Sequence, residues 1–292
     1  MSSIKIKDYL SMIKFSHTVF ALPFAMLGYS IGVMDNGGII SLSTLILVIL
    51  CMIFARSAAM ANNRLVDRNI DLKNPRTLIR EIPSGVISPN QARVFVLLNA
   101  MAFIVTTYFI NSLCFYLSPV ALLVVLGYSY TKRFTSLCHL VLGVGLGIAP
   151  VGAYMAVTGD FGFLSIILGF AVLFWVSGFD IIYALQDDDF DRSQSLNSIP
   201  SRFGRGDALL ISRVLHIISA SLIGWAVFNI VSQYGGASYL SIVGGGLFIL
   251  LLIYQHTIVS KNDLSRVNIS FFTTNGIASV VFCGLLISDF FL

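Results

Sequence analysis

One pattern restricts the folding of this chain more than any other. A run of roughly 20 apolar residues, long enough to span a bilayer, is followed by a short polar break, and the unit recurs along the whole sequence. About nine such runs fall near 15–34, 41–65, 91–110, 113–130, 138–158, 162–185, 207–231, 238–259 and 269–290. Lipid offers no partner to a backbone N–H or C=O, so only helices and closed barrels cross it. Runs this long select helices. The expected fold is therefore all-α, a polytopic membrane bundle of about nine transmembrane helices. Charged residues make up 11% of the chain, less than half of the roughly 25% typical of soluble domains. A soluble protein of this length could not cover itself with so little polar surface.

The charges are sorted by side. Of the 18 lysines and arginines, all but Arg56, Arg93 and Arg213 occupy the N-terminus, the loops after helices two, four, six and eight, and the helix ends that border them, and those three lie in helices near the same side. The opposite loops, "DNGG", "INSLC", "TGDFG" and "SQYGGAS", contain none. By the positive-inside rule the N-terminus is cytoplasmic and the C-terminus lies on the other side. The net charge of +4 then reports topology. With its bases divided among separate loops, the chain has no expected nucleic-acid partner; its partner is the lipid bilayer, and no obligate protein partner is evident. The start, "MSSIKIKDYLSMIK", is basic and amphipathic, and the run after it lacks a small-residue cleavage pattern, so that run is expected to be retained. The four cysteines are scattered and read as small apolar residues.

The loops after helices two and six are the long ones, and both carry acids in a regular order. In "NNRLVDRNIDLKNPR" (62–76) the residues Asn63, Asp67 and Asp71 are four apart. That spacing stacks their side chains on one helix face. Like charges in such a row repel, so a cation is expected between them. "DIIYALQDDDFD" (180–191) repeats the device with Asp180, Asp187 and Asp191. Both loops continue into an Ile-Pro-Ser, at 82–84 and 199–201, which suggests a single domain over 1–292 with a pseudo-repeat of about 1–130 and 131–292. Two facing rows would form an all-oxygen site suited to Mg²⁺ and phosphate oxygens. Arg64, Arg68, Arg76, Arg80, Lys132, Arg133 and Arg192 could clamp a diphosphate there. Arg56, deeper in helix two, needs an anionic partner. Asp188, Asp189, Arg205 and Lys261 are expected to be ordinary solvated charges. "GVGLG" (143–147) and "GGG" (244–246) read as close helix packing, and Pro23 and Pro150 as kinks. A transporter using the acids as an ion pathway would need ionisable groups near mid-membrane in several spans; here they cluster at one end.

These residues resemble the UbiA family of intramembrane prenyltransferases, over nearly the whole chain. The family's Asn-Asp-x-x-Asp-x-x-x-Asp motif is similar to "NRLVDRNID", its second acidic motif to "DIIYALQDDDFD", and its Tyr-x-x-x-Lys motif to "YSYTK", Tyr128 to Lys132. "HTVFALPFA" and "GLGIAPVGAY" also look like family segments. The resemblance implies an enzyme that transfers a polyprenyl group from polyprenyl diphosphate to an aromatic acid in respiratory quinone biosynthesis, in the bacterial cytoplasmic membrane, with the active-site cap on its cytoplasmic side. It implies Mg²⁺ on Asn63, Asp67, Asp187 and Asp191, and a catalytic set of Asp67, Asp71, Asp187, Asp191, Tyr128 and Lys132. Substrate contacts are implied for Arg56, Arg64, Arg76, Arg80, Lys132, Arg133, Asp180, Arg192 and His17. One position departs: where the family usually has Asp, this chain has Arg64. That variant looks most like the bacterial 4-hydroxybenzoate polyprenyltransferase-like subgroup, part of which acts on a naphthoate acid in menaquinone synthesis. The acceptor is therefore open between 4-hydroxybenzoate and a dihydroxynaphthoate, with other acceptors such as haem or homogentisate as alternatives.

Overall fold

A computed structural model describes residues 6–14, 20–234 and 239–292. Those residues contain helices and loops but no strand. A short α1 (Ile6–Met12) leads to α2 (Leu22–Asp35), α3 (Leu42–Asp71), α4 (Pro89–Tyr108), α5 (Ser112–Thr131) and α6 (Cys138–Thr158). The second half comprises α7 (Phe163–Ala184), the short α8 (Asp188–Ser193), α9 (Ile199–Tyr234), α10 (Tyr239–Ile258) and α11 (Asn275–Phe291). Eight of these, counting the extensions of α7 and α11, are long and apolar enough to cross a membrane. The described part of α2, 14 residues, falls short of that length; most of it is buried, and it packs on α6 and α11. The chain is a multi-pass membrane protein.

Its surface is that of a protein in lipid. Leu97, Leu98, Met101 and Val105 form an outward stripe on α4, each more than half exposed. The core is aromatic: Trp175 of α7 meets Phe24 of α2 at 5.3 Å and Phe248 of α10 at 5.5 Å between ring centroids, and Phe248 meets Phe282 of α11 at 5.3 Å. Between helices already in lipid the hydrophobic drive is weak, so close backbone approach and interhelical hydrogen bonds hold the bundle. Both occur along α7. A Cβ at Gly147 of α6 would lie 2.5 Å from the Gly169 carbonyl oxygen, which bears out the packing expectation for "GVGLG". Ser212 and Ser219 of α9 donate to the Gly178 and Ala171 carbonyls at 2.7 and 2.9 Å.

Several elements differ from expectation. Pro23 does not kink a helix interior; it stands in the first turn of α2, where its missing N–H costs nothing. Pro150 does lie inside α6. The seventh helix starts earlier than 207, at Ile199, and is interrupted at Gly204, whose φ of 85° and ψ of 166° suit only glycine. The second acidic row is not on one regular helix either. After Ala184 the backbone tightens into a 3₁₀ turn, Leu185–Asp187, before α8 begins. α11 is preceded by a π-helical turn, Ile269–Thr274, whose widened backbone is tied by Asn275: its Nδ2 donates to the Ser270 and Phe271 carbonyls, and its Oδ1 accepts from Trp175 and Gln255.

Candidate active site

The end of α3 carries Asn63, Asp67 and Asp71 on one face, as their spacing requires. Asn63 Nδ2 donates to Asp67 Oδ2 at 3.4 Å. Asp67 is 2% exposed and Asp71 3%. Carboxylates so buried need compensation, because desolvating an unpaired one costs several kcal/mol. Each is paired with a base from elsewhere. Lys132 Nζ lies 2.6 Å from Asp67 Oδ2, and Arg133 holds Oδ1 at 3.1 Å while also donating to the Val66 and Ser129 carbonyls. Arg80 donates to Asp71 Oδ1 at 2.7 Å. The other oxygen, Asp71 Oδ2, is buried with no partner.

The second row is reached through the loop after α3. Asn74 and Pro75 open that loop with a turn in which Asn74 Oδ1 accepts the Arg76 N–H at 2.9 Å. This aims both side chains at Asp187. Asn74 Nδ2 donates to Asp187 Oδ1 at 3.2 Å, Arg76 Nε donates to the same oxygen at 2.9 Å, and Arg76 Nη2 is ion-paired with Oδ2. Arg76 Nη1 reaches the Tyr183 hydroxyl at 3.1 Å, and the guanidinium stands 5.5 Å from the centroid of that ring. Burial works against the Arg76 charge, but its hydrogen bonds to Asp187 and Tyr183 outweigh that and hold its pKa above the ordinary arginine value. Tyr183 stacks on Phe271 of the π-helical turn at 4.1 Å.

Beneath these ion pairs lies an apolar cavity of about 630 Å³, walled by α3, α5, α6 and α7. Arg56, Tyr128, Phe20, Phe179 and Phe271 line its end near the acids. Val120, Phe161 and Phe170 line it as well and are also exposed on the outside of the bundle, so the cavity opens sideways. Arg56 Nη2 donates weakly to the Lys14 carbonyl at 3.4 Å, and its Nε is buried without a partner. Arg64 is also buried, 7% exposed, with Nε unpartnered.

The structure thus gathers Asn63, Asp67, Asp71, Arg80, Lys132 and Arg133 around the end of α3, and Arg76 with Asp187 beside it. It does not make an all-protein metal cage. Among the described residues no three carboxylate, histidine or cysteine side chains converge on one point, because bases stand between the two rows. Arg68 donates to the Leu65 carbonyl of its own helix, and Arg192 to the Pro200 carbonyl, so neither faces a carboxylate of the rows. Asp188 is not a solvated charge: it is 3% exposed and doubly bonded to Arg205 at 2.8 and 2.7 Å. His17 lies outside the described residues. Sequence reasoning missed Asn74 and Tyr183, and also His139, whose Nδ1 lies 2.7 Å from Asp180 Oδ2. The Asn-Pro turn directly after the first row was a usable signal for Asn74; nothing in the sequence pairs His139 with Asp180.

An apolar intramembrane cavity capped by acids and bases defines a membrane-embedded enzyme that handles an amphiphile with a charged head. The chain belongs to the UbiA prenyltransferase family, whose model matches residues 21–277, and it is a prenyltransferase. A 4-hydroxybenzoate octaprenyltransferase of Yersinia enterocolitica is 31% identical over 255 residues, covering 86% of this chain and 85% of the relative. That of Photobacterium profundum is 29% identical over 254 residues, covering 86% and 85%. The apo structure of a UbiA homologue from Aeropyrum pernix K1 superposes with a TM-score of 0.80 at 32% identity, covering 94% of this chain and 98% of that one. A UbiA homologue from Archaeoglobus fulgidus, bound to GPP and Mg²⁺, shares the fold at TM-score 0.77 and 21% identity over 98% of this chain and all of that one.

Proposed function

We propose that this enzyme transfers a polyprenyl group from a polyprenyl diphosphate to an aromatic acid, 4-hydroxybenzoate or a dihydroxynaphthoate, as a step of respiratory quinone synthesis. The observation that carries this reading is the polar cap of paired acids and bases set directly over the apolar cavity. The prenyl chain fills the cavity and the diphosphate meets the cap. The names of the relatives support a hydroxybenzoate acceptor, and the Archaeoglobus homologue supports Mg²⁺ as the cofactor.

The donor set suits that ion. Mg²⁺ is commonly bound by one or two carboxylates together with substrate phosphate oxygens. Asn63, Asp67, Asp187 and Asp191 offer only oxygen ligands, and the orphaned Asp71 Oδ2 adds an acceptor beside them. When bound there, the ion would neutralise charge building on the leaving diphosphate. The protein does the rest. Lys132, Arg133, Arg76 and Arg80 exchange their carboxylate partners for diphosphate oxygens, as Arg64 does from its unpaired state, and stabilise the departing group as the allylic C–O bond breaks. Tyr128, Tyr183, Phe179 and Phe271 surround the allylic carbon with ring faces and exclude water. Arg56 holds the acceptor's carboxylate. The basic cap lies in the cytoplasm of a bacterial inner membrane, with the C-terminus on the opposite side.

The test is direct. Purified enzyme with Mg²⁺, a polyprenyl diphosphate and each aromatic acid should give a ring-prenylated product that chelation of the metal abolishes. Absence of product with every aromatic acid would overturn the acceptor class.

A further inference from the structure

Asn275 opens α11 with no exposed surface, and its amide is fully engaged. Nδ2 donates to the Ser270 and Phe271 carbonyls at 3.1 and 2.9 Å. Oδ1 accepts from Trp175 Nε1 at 2.9 Å and from Gln255 Nε2. An indole can only donate, so the Trp175 contact fixes which way the amide faces. Trp175 and Gln255 are wholly buried as well. One side chain thus joins α7 and α10 to the π-helical turn. Thr274 pins the same turn, its hydroxyl donating to the Ile269 carbonyl at 3.1 Å. Three successive carbonyls, those of Ile269, Ser270 and Phe271, are therefore held by side chains. Single π turns inside helices are rare and frequently stand at functional sites.

The turn carries Phe271 into the cavity wall. Its ring stacks on Tyr183 at 4.1 Å and meets Phe179 and Phe20 edge-on at 5.2 and 5.7 Å. Tyr183 in turn accepts from Arg76, whose other nitrogens hold Asp187. In the opposite direction the chain reaches water within a few residues, for Lys261, Asn262, Asp263, Ser265 and Arg266 are exposed. Phe271 stands between that aqueous loop and the cavity.

We infer that Asn275 is a positioning residue that sets what the allylic cation reacts with: through the π turn it holds Phe271 across the cavity end and keeps water from competing with the aromatic acid. This rests on the function proposed above, in which Phe271 walls the allylic carbon. When the C1–O bond of the donor breaks, its electron pair leaves on the diphosphate. In the productive path a ring carbon of the acceptor bonds to C1, and the proton it carried passes to the released diphosphate or to water. In the leak a water oxygen bonds to C1 and gives one proton to the diphosphate, and the product is the free prenyl alcohol. Asn275 touches neither species and acts on the ratio of the two.

The experiment supplies labelled prenyl diphosphate, Mg²⁺ and saturating aromatic acid in heavy-oxygen water, and reads the ratio of heavy-oxygen prenyl alcohol to prenylated acid. Heavy oxygen in the alcohol marks attack at C1, whereas a phosphatase would leave the original oxygen there. Asn275→Leu should raise the ratio by about tenfold or more, because both donors that hold the turn are lost. Asn275→Asp keeps the bonds from Trp175 and Gln255 but offers the two carbonyls at most one proton, and should fall between Asn275→Leu and wild type. Thr274→Val removes one pin and should raise the ratio by about threefold. Phe271→Leu should leak as Asn275→Leu does, and adding Asn275→Leu to it should change the ratio by less than about twofold, since both act through one ring. A side chain that only stabilised the fold would lower both products in proportion and leave the ratio alone. Melting curves check folding, and Asn275→Asp with Thr274→Val carries the test if Asn275→Leu misfolds. Ratios within about twofold of wild type in the Asn275 and Thr274 variants, or a double variant whose increase is the product of the two single ones, would overturn the inference alone. A wild type that makes no prenylated acid would overturn the proposed function as well.

Discussion

Lys132 and Asp67 form an ion pair of 2.6 Å, although Asp67 belongs to α3 and Lys132 directly follows α5. With Arg133 on its other oxygen, Asp67 has both lone-pair faces taken. A divalent cation must displace a base to reach it, and diphosphate supplies the oxygens that those bases then take up. Mg²⁺ alone should therefore bind weakly, and Mg²⁺ with inorganic diphosphate should bind at least tenfold more tightly, as read by isothermal titration calorimetry. Lys132→Met should strengthen binding of Mg²⁺ alone while lowering turnover by about 10²–10³. Equal Mg²⁺ affinity with and without diphosphate would sink this exchange.

Arg76 uses three nitrogens at once, two on Asp187 and one on Tyr183. A lysine cannot reproduce that fork. Arg76→Lys should therefore lose nearly as much kcat/KM as Arg76→Ala, about 10²-fold or more, with the KM for the prenyl diphosphate raised in both. A near-native Arg76→Lys enzyme would show that charge alone suffices.

The Asp188–Arg205 pair ties α8 to α9 just beyond the Gly204 break. Arg205 is 35% exposed, so water can solvate it once Asp188 is gone. Asp188→Ala should cost about 1–3 kcal/mol and lower the melting temperature in detergent, with kcat per folded molecule largely kept. Gly204→Ala should destabilise through backbone strain at the same junction.

Ala149 lines the cavity on α6. Ala149→Trp should shorten the longest donor accepted, leaving short prenyl diphosphates nearly unaffected and reducing long ones at least tenfold in kcat/KM. Uniform loss across donor lengths would place the prenyl chain elsewhere.

Much of this was legible in the chain because it depends on local spacing. The spans follow from length and hydropathy, and Asn63, Asp67 and Asp71 share a face because α3 stays regular to its last residue. The second row was harder: Asp187 closes a 3₁₀ turn and Asp191 belongs to the next helix, so a four-residue spacing there no longer means a shared face. Asp188 looked solvated because its partner, Arg205, stands 17 positions away, just past the break at Gly204. Contacts such as Asn74 to Asp187 join residues more than a hundred positions apart. No periodicity records such pairs; helix packing creates them.

The sideways opening at Val120, Phe161 and Phe170 has a kinetic corollary. A donor that enters there never leaves the bilayer. Its effective concentration is its mole fraction among lipids, and the volume of buffer above the membrane is irrelevant to it. Adding empty lipid to proteoliposomes that exchange lipid should slow turnover even when the total amounts of enzyme and donor are fixed, whereas diluting the whole suspension should leave the dependence on donor unchanged.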